Sequence, residues 1–400
     1  MRIEPSVRRE WVFNVACLLQ AAAVDGADAL LPFYMSGFGV PVALIALPFA
    51  LNGVARVISD LGSGVLSDYL RTRVLLLAAT GGGAALALLA GAAGHVGLFV
   101  ILWASLGLAD AMFGIGIRKA TFEAAPPGRQ GRAVAAIATA FGAGYALGPF
   151  VGGYIGQHFG PRMLFLVYAG PVGLSCLLMA LFAPVDSPIP AGPRRDRPWR
   201  VGRRLFASPG FGSACLSIGY AFFTKGGISK LAFPLFAVRA QGLALGTMGV
   251  ILGISQGFNI LGRVVGGPLC DRWGSRPALV ASFALSVPAL VVLVWGQGFL
   301  LLLLPLALLG FGRGLINVAA TLQALQAVPA ESRGLALGIF RVFSSFGLLA
   351  GPLLTGALLG LGSFTVTFLV LAGLSALCLP YVTLSGPPVA APAQRIGQEA

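Results

Sequence analysis

The stretch Gly267-Pro-Leu-Cys-Asp271-Arg272-Trp-Gly274-Ser-Arg276 repeats the spacing of an earlier one, Gly64-Val-Leu-Ser-Asp68-Tyr-Leu-Arg71-Thr-Arg73. The glycine, the aspartate and the last arginine each recur 203 residues later. The same offset connects further pairs: Gly107 with Gly310, Pro126 with Pro329, Gly131 with Gly334, Gly148-Pro149 with Gly351-Pro352, and Gly153 with Gly356. A register kept across so much of the chain indicates two similar halves in parallel order.

The composition places these halves in a lipid bilayer. Only 10% of the 400 residues are charged and 57% are hydrophobic, too little polarity to cover a water-soluble surface. The net charge of +14 comes from bases in short loops, which indicates membrane topology and argues against a nucleic-acid partner. The five cysteines lack metal-ligand spacing, so we expect no metal and no cofactor. Parallel repeats in a membrane chain are typical of transporters.

Apolar runs of about twenty residues predict twelve transmembrane helices. In the first half they cover about 11–35, 41–67, 73–94, 97–119, 132–157 and 163–183, and in the second about 211–238, 244–270, 277–296, 298–327, 333–359 and 363–384. We therefore predict an all-α integral membrane protein with two pseudo-symmetric six-helix bundles, 1–183 and 211–384. A cytoplasmic linker is expected at 184–210 and a cytoplasmic tail at 385–400.

Basic residues fall on alternate connections between these spans. One set includes Arg71 and Arg73, the arginine-rich linker, and Arg272 and Arg276, whereas the opposite connections are nearly bare. Positively charged loops stay in the cytoplasm. The pattern predicts a multi-pass protein of a bacterial-type plasma (inner) membrane, with both termini cytoplasmic and the lipid bilayer as its surroundings.

The two stretches quoted first resemble the cytoplasmic signature of the major facilitator superfamily, G-x-x-x-D-[RK]-x-G-[RK]-[RK]. The second copy is closer, because in the first Tyr69 replaces a base and Arg71 stands where the family has glycine. The resemblance implies that the aspartate braces the inward-closed side against the facing half. It makes Gly64, Asp68, Arg73, Asp271, Arg272 and Arg276 candidate gate residues, and Arg263 and Arg341, near the inner ends of their spans, join them.

A second motif lies in predicted span 5. Gly144-Tyr-Ala-Leu-Gly148-Pro149-Phe-Val-Gly152-Gly153 is similar to G-x-x-x-G-P-x-x-G-G, the signature of the family's twelve-helix drug and metabolite:proton antiporters. Glycines at every fourth residue permit close helix packing, and the proline bends the helix. Gly144, Gly148, Pro149 and Gly153 are therefore further gate candidates. One departure is Trp103, which occupies the position of an arginine common in span 4 of these exporters, so that arginine's proton-relay role does not transfer.

Ionisable residues at membrane depth are costly and point to function. Acids within spans lie in the first half (Asp25, Asp28, Asp60 and Asp110), and bases lie in the second (Lys225, Lys230, Arg263, Arg313 and Arg341). The repeat register pairs Asp110 with Arg313, so an acidic wall is expected to face a basic wall. That pair is also a candidate ion pair between the halves, and Lys230 is expected to snorkel outward from span 7.

Three aspartates are candidates for proton coupling: Asp25, Asp28 and Asp110. No base within span 1 neutralises the first two. The resemblance places spans 1, 4, 7 and 10 around a central cavity. Candidate substrate-binding residues are Asp25, Asp110, Lys225, Gln256, Asn259, Arg313 and Asn317.

These features predict a secondary active transporter, proton-coupled and exporting small amphiphilic molecules by alternating access. We expect a monomer whose partners are a small-molecule substrate and protons. One alternative is an importer or exchanger of organic anions (carboxylate or phosphate compounds) that uses the basic second half. Another is a non-transporting membrane sensor on the same fold. No enzyme motif occurs, since the glycine runs lie inside spans rather than after a strand.

Overall fold

The computed structural model describes residues 5–69, 71–125, 129–182, 209–328 and 333–385. Within its helices, side chains are described except at 5–9, 60–69, 123, 209 and 333–335. The described chain is helical and contains no strand, which confirms the all-α prediction. The predicted tail beyond 385 and all but the last residues of the predicted linker lie outside the described residues.

Six long helices form the first half. They are α1 (Pro5–Ser36), α2 (Leu47–Tyr69), α3 (Thr72–Gly91), α4 (Val96–Ala124), α5 (Gln130–Phe159) and α6 (Leu164–Phe182). A short helical turn, Val42–Ile45, precedes α2, and a 3₁₀ turn, Pro161–Met163, precedes α6. The start of α3 follows the expected break at the cytoplasmic signature, where Arg71 adopts an extended conformation.

The second half contains α7, α8 (Leu245–Trp273), α9 (Ser275–Trp295), α10 (Gly298–Gln326), α11 (Arg333–Gly360) and α12 (Phe364–Ser385). Span α7 changes type along its length. It is α-helical over Pro209–Thr224, π-helical over Lys225–Ala232, α-helical over Phe233–Leu235 and π-helical over Phe236–Ala240. Eleven helices of the described chain are long and apolar enough to cross a bilayer, and the divided α7 supplies the twelfth predicted span.

The π-helical stretch of α7 decides where its lysines lie. Lys225 and Lys230 are five residues apart, which in an α-helix of 3.6 residues per turn places them about 140° apart around the axis. A π-helix bonds residue i to residue i+5, so the two residues lie about one turn apart on one face. Both lysines consequently face α1, as their contacts below show. The sequence predicted one continuous span here, without any sign of this change.

Two symmetry-related contacts join the halves. Helix α5 packs against α8, and α2 packs against α11, while α1 packs on α5 and α7 packs on α11 within their own halves. Glycines allow these approaches. A Cβ on Gly148 would lie 2.6 Å from the Ala22 carbonyl oxygen of α1, and one on Gly153 would lie 2.6 Å from the Leu245 carbonyl oxygen of α8. The glycine motif of α5 therefore packs against both α1 and α8.

The apolar core differs between the two ends of the bundle. We call the end where α1 begins the near end, and the end where α1 finishes at Ser36 the far end. At the far end one cluster includes residues of both halves, among them Tyr34 and Met35 of α1 and Phe233 and Phe236 of α7. At the near end each half has its own cluster, one around Phe13 and Leu76, the other around Phe211 and Leu279. Among the side chains that the structure describes, the core shared by both halves lies at the far end.

Candidate functional site

A small cavity lies between the two halves, and five membrane-embedded charged residues line it. Helix α1 contributes Asp25 and Asp28, α7 contributes Lys225 and Lys230, and α10 contributes Arg313. Ser229, Gln256, Leu252, Ala29 and Pro149 complete the lining. We call this the central cavity. It brings together four of the seven predicted substrate-binding residues.

Asp25 is held by groups from the other half of the chain. Lys225 Nζ lies 3.2 Å from its Oδ1, and Gln256 Nε2 donates a hydrogen bond of 2.8 Å to its Oδ2. Lys225 Nζ also lies 4.1 Å from the ring centroid of Tyr145 on α5, a cation–π contact. Asp25 is buried and Lys225 is partly buried, so the pair lies at the surface of the cavity. Both partners come from the second half, and no pattern within span 1 could have identified them.

Asp28, one turn further along α1, forms a second ion pair between the halves. Its Oδ2 accepts a hydrogen bond from Lys230 Nζ, and both side chains are buried. The prediction that Lys230 snorkels outward is wrong, because the π-helical stretch turns this lysine toward α1. The acidic and basic walls therefore meet through α1 and α7.

Asp110 lies in a different environment, within the first half alone. Arg56 of α2 forms an ion pair with its Oδ2, and Gln20 Nε2 lies 3.5 Å from its Oδ1. Arg56 Nε also donates to Asn52 Oδ1, at 3.2 Å. The candidate ion pair between Asp110 and Arg313 is not present. The repeat register matches the two positions in sequence, but Asp110 pairs with Arg56 of its own half, and Arg313 donates to two serine hydroxyls of its own half.

Arg56 is the functional candidate that sequence reasoning missed. It lies one turn after Asn52 on α2, and both line a second small cavity together with Asp110, Trp103 and Tyr168. Trp103, which stands where related exporters have an arginine, lines this cavity without carrying charge. The positive charge beside Asp110 comes from α2 instead. Asp28 lines both this cavity and the central one, so it stands between the two sites.

Arg313 is buried and makes its hydrogen bonds to hydroxyl groups. Its Nη1 donates to Ser229 Oγ at 2.9 Å and its Nη2 to Ser255 Oγ at 3.4 Å. Two predicted substrate ligands, Asn259 and Asn317, bond instead to backbone carbonyl oxygens of α10, those of Gly310 at 3.3 Å and Arg313 at 2.7 Å. The structure does not place these two amides at the central cavity.

The candidate gate residues lie in two groups. Gly144, Gly148, Pro149 and Gly153 are on α5, where the glycines make close contacts with α1 and α8. The others lie toward the near end. Arg73 Nη2 donates to the Ala180 carbonyl oxygen at 2.7 Å, and Asp271 and Arg272 are exposed at the end of α8. Arg263, Arg276 and Arg341 lie on α8, α9 and α11, and Gly64 and Asp68 lie on α2 where side chains are outside the description. Their gating role remains a prediction.

Comparison with known proteins identifies the family. The sequence model of the Major Facilitator Superfamily matches residues 13–226 and, a second time, residues 222–399. This chain belongs to the Major Facilitator Superfamily. The model matches the chain twice in succession, and the all-helical architecture fits the fold of the superfamily. The protein is therefore a multi-pass membrane protein of a transporter family rather than a member of an enzyme class.

Relatives and solved structures extend this assignment. The chain is 24% identical over 389 residues to the multidrug resistance protein MdtG of Klebsiella pneumoniae (strain 342), covering 93% of this chain and 92% of that protein. Its fold is similar to a bacterial homologue of the human lysosomal transporter Spinster in an inward-facing, unoccupied conformation, with a TM-score of 0.80, 12% identity and coverage of 96% and 98%. The nucleoside transporter NupG gives 0.79 at 14% identity, covering 94% and 98%.

Proposed function

We propose that this superfamily member is a proton-coupled exporter of small amphiphilic molecules, a drug or a metabolite, that works by alternating access. The observation that carries the proposal is that two buried aspartates form ion pairs across the halves beside the central cavity, Asp25 with Lys225 and Asp28 with Lys230. Each pair contains an aspartate that can bind a proton. Each pair also connects α1 to α7, and the two halves to which these helices belong must separate during transport.

Protonation acts on these pairs through charge. A buried lysine that loses its carboxylate partner is left as an uncompensated charge, which costs several kcal/mol. A proton on Asp25 or Asp28 therefore weakens the contact of α1 with α7 and favours opening of the far end. Loss of the proton restores the ion pair and closes the far end again. This exchange links proton binding to the conformational change.

Asp28 connects this switch to Asp110. Because Asp28 lines both cavities, a proton released near Asp110 and Arg56 has a polar route to the central cavity. We propose that the Asp110 carboxyl group binds the coupling proton in one conformational state. In the other state Asp110 is ionised and forms its ion pair with Arg56. The substrate then occupies the central cavity, whose apolar lining by Leu252, Ala29 and Pro149 suits an amphiphile.

The orientation follows from the charge bias of the loops. Under the proposal the near end, where the arginine-rich connections lie, faces the cytoplasm, and the far end faces outward across a bacterial inner membrane. The described side chains form a shared core at the far end and separate cores at the near end, which supports an inward-facing state. The direction of export is supported by the relatives named multidrug resistance proteins and by the antiporter-like motif of α5.

An organic-anion importer or exchanger is the second candidate function. The observation in its favour is Arg313, a buried cation in the central cavity that is held by hydroxyl groups. The multidrug resistance relatives and the glycine motif of α5 favour export, so we place import second. The sensor alternative gains no support from any contact in the described chain.

The test is growth of an efflux-deficient bacterium expressing the protein, across cationic, neutral and anionic toxic amphiphiles. We expect resistance to at least one compound, lost in Asp25→Asn and Asp110→Asn at matched membrane levels. Asp186→Asn, in the predicted linker, is the matched control and should keep resistance. Sensitisation to an anionic compound would favour import, and resistance that survives both membrane variants would remove the proton-coupling role of these carboxylates.

A further inference from the structure

Arg313 differs from the other cations of the central cavity in its partners. Lys225 and Lys230 each contact an aspartate, whereas no described carboxylate lies within ion-pair distance of Arg313. Its Nε has no hydrogen-bond partner in the described part of the chain, and the residue is only 5% exposed. A guanidinium this deeply buried retains its charge, since arginine does not lose its proton in proteins.

The charges of the cavity leave one positive charge uncompensated. Three cations (Lys225, Lys230 and Arg313) and two carboxylates (Asp25 and Asp28) line the cavity, and each carboxylate is paired with a lysine. An isolated buried charge is costly in a membrane interior and marks a site where a partner binds. The missing partner is an acceptor that carries a single negative charge.

We propose that Arg313, with Ser229 and Ser255, forms a binding site for the anionic group of the exported amphiphile. This inference rests on the proposed function and names the class of its substrate: an apolar body bearing one negative charge of carboxylate type. The planar guanidinium presents several donors in a geometry that suits carboxylates. Ser229 accepts a hydrogen bond from Arg313, which leaves its own hydroxyl proton available to a bound anion. Ser255 also accepts from Arg313 but donates its proton to the Leu306 carbonyl oxygen at 2.6 Å, so its role is to position the guanidinium.

The surroundings of Arg313 accommodate the rest of such a molecule. Ser229 and Arg313 line the same cavity as Leu252, Ala29 and Pro149, so the anionic group and an apolar body have separate contact surfaces. Ser229 lies in the π-helical stretch of α7, between the two lysines. The segment that forms the ion pairs therefore also holds the proposed anion site.

The test uses the purified full-length chain and three probes that share one apolar body: 1-naphthoate, 1-naphthamide and 1-naphthylmethylamine. Stabilisation of the protein against heating is measured as each probe is titrated. We expect naphthoate to bind most tightly and its affinity to fall about tenfold or more in Arg313→Gln. Arg313→Lys keeps the positive charge but not the planar set of guanidinium donors, so we expect a smaller loss of naphthoate affinity. We expect a similarly small loss in Ser229→Ala.

Arg118→Gln is the matched control, because Arg118 is an exposed arginine of α4 outside the central cavity. It should bind naphthoate as the wild type does. Equal naphthoate affinity in Arg313→Gln, or a wild-type preference for the amine, would overturn the site. If Arg313→Gln fails to fold, unchanged affinity in both Arg313→Lys and Ser229→Ala would overturn it equally.

Comparison with the resistance assay separates the two proposals. Selective naphthoate binding by a protein that exports none of the compounds would leave the anion site in place and remove the export function. If the protein exports neutral or cationic compounds, keeps that export in Arg313→Gln and does not bind naphthoate, the export function would stand and the anion site would be overturned.

Discussion

The far and near ends of the helical bundle hold the two halves together differently. At the far end, aromatic and aliphatic side chains from both halves form one core, and two buried ion pairs lie beside it. At the near end the two halves keep separate cores. The halves are also joined by contacts of α2 with α11 and of α5 with α8.

This difference shows how a closed end can remain able to open. A purely apolar interface loses its burial energy on opening at any pH, whereas an interface that includes aspartate–lysine pairs responds to protons. The charged contacts lie beside the core that the two halves share. Three substitutions test this comparison, in order of decreasing expected effect.

Gly148→Leu should have the largest effect, because it disturbs the helix that carries both aspartates. A Cβ at this position would lie 2.6 Å from the Ala22 carbonyl oxygen and 2.8 Å from the Gly26 nitrogen, so α1 must move away from α5. We expect transport to be abolished while the protein still inserts, measured by resistance at matched membrane levels. Gly170→Leu is the control, since nothing lies within 4 Å of its Cβ. Normal transport by Gly148→Leu would contradict the importance of this close contact.

Lys230→Met should open the far end without disturbing the near end. Removing one partner of a buried ion pair costs about 3–5 kcal/mol, because the other charge stays buried. In a Phe233→Cys background, where Phe233 is fully buried in the shared core, we expect faster labelling by a membrane-impermeant maleimide.

The double variant Asp28→Asn with Lys230→Met provides the control for this experiment. It removes both charges, so labelling should return toward the level of the Phe233→Cys background. Unchanged labelling in Lys230→Met alone would show that the apolar core by itself keeps the far end closed.

Ser36→Ala should have the smallest effect on the same measurement. Ser36 Oγ accepts a hydrogen bond from Arg239 across the halves at the far end, but Arg239 is exposed. Exposed polar contacts contribute roughly 0–1 kcal/mol because water competes for both groups. When Ser36→Ala is added to the Phe233→Cys background, we expect the labelling rate to change by less than about fivefold, as that energy allows. An increase matching that of Lys230→Met would contradict the ranking of buried over exposed contacts.

Much of the fold could be predicted from local sequence. Apolar runs, loop charges and the repeated signature depend only on a segment's own environment, which is why they can be read from sequence. The helices and their membrane location are confirmed. The close packing of α5 also followed from its glycine spacing, because a missing side chain permits close approach wherever the partner comes from. The domain boundaries and the gating roles stay predictions.

The charge partners were harder to predict. Opposite charges in the two halves indicated that they face each other, but not which residue meets which. Asp110 was matched with Arg313 by repeat register, and the structure pairs it with Arg56 of its own half. Arg56 does not belong to any motif that distinguishes it from other arginines. Its importance comes from its position on α2, where it contacts Asp110 of α4.

The amino-acid sequence was sufficient to establish that this protein is a two-fold repeated bundle of membrane helices with ionisable groups in its interior. Those properties depend on composition and spacing, which act locally through hydrophobicity and helix period. Three-dimensional packing was needed to show that Lys225 and Lys230 face α1, that Asp28 separates two cavities, and that Arg313 has no carboxylate partner among the described residues. Coulomb energy in a low-dielectric interior depends on distances of a few ångströms between residues far apart in sequence, and packing alone sets those distances.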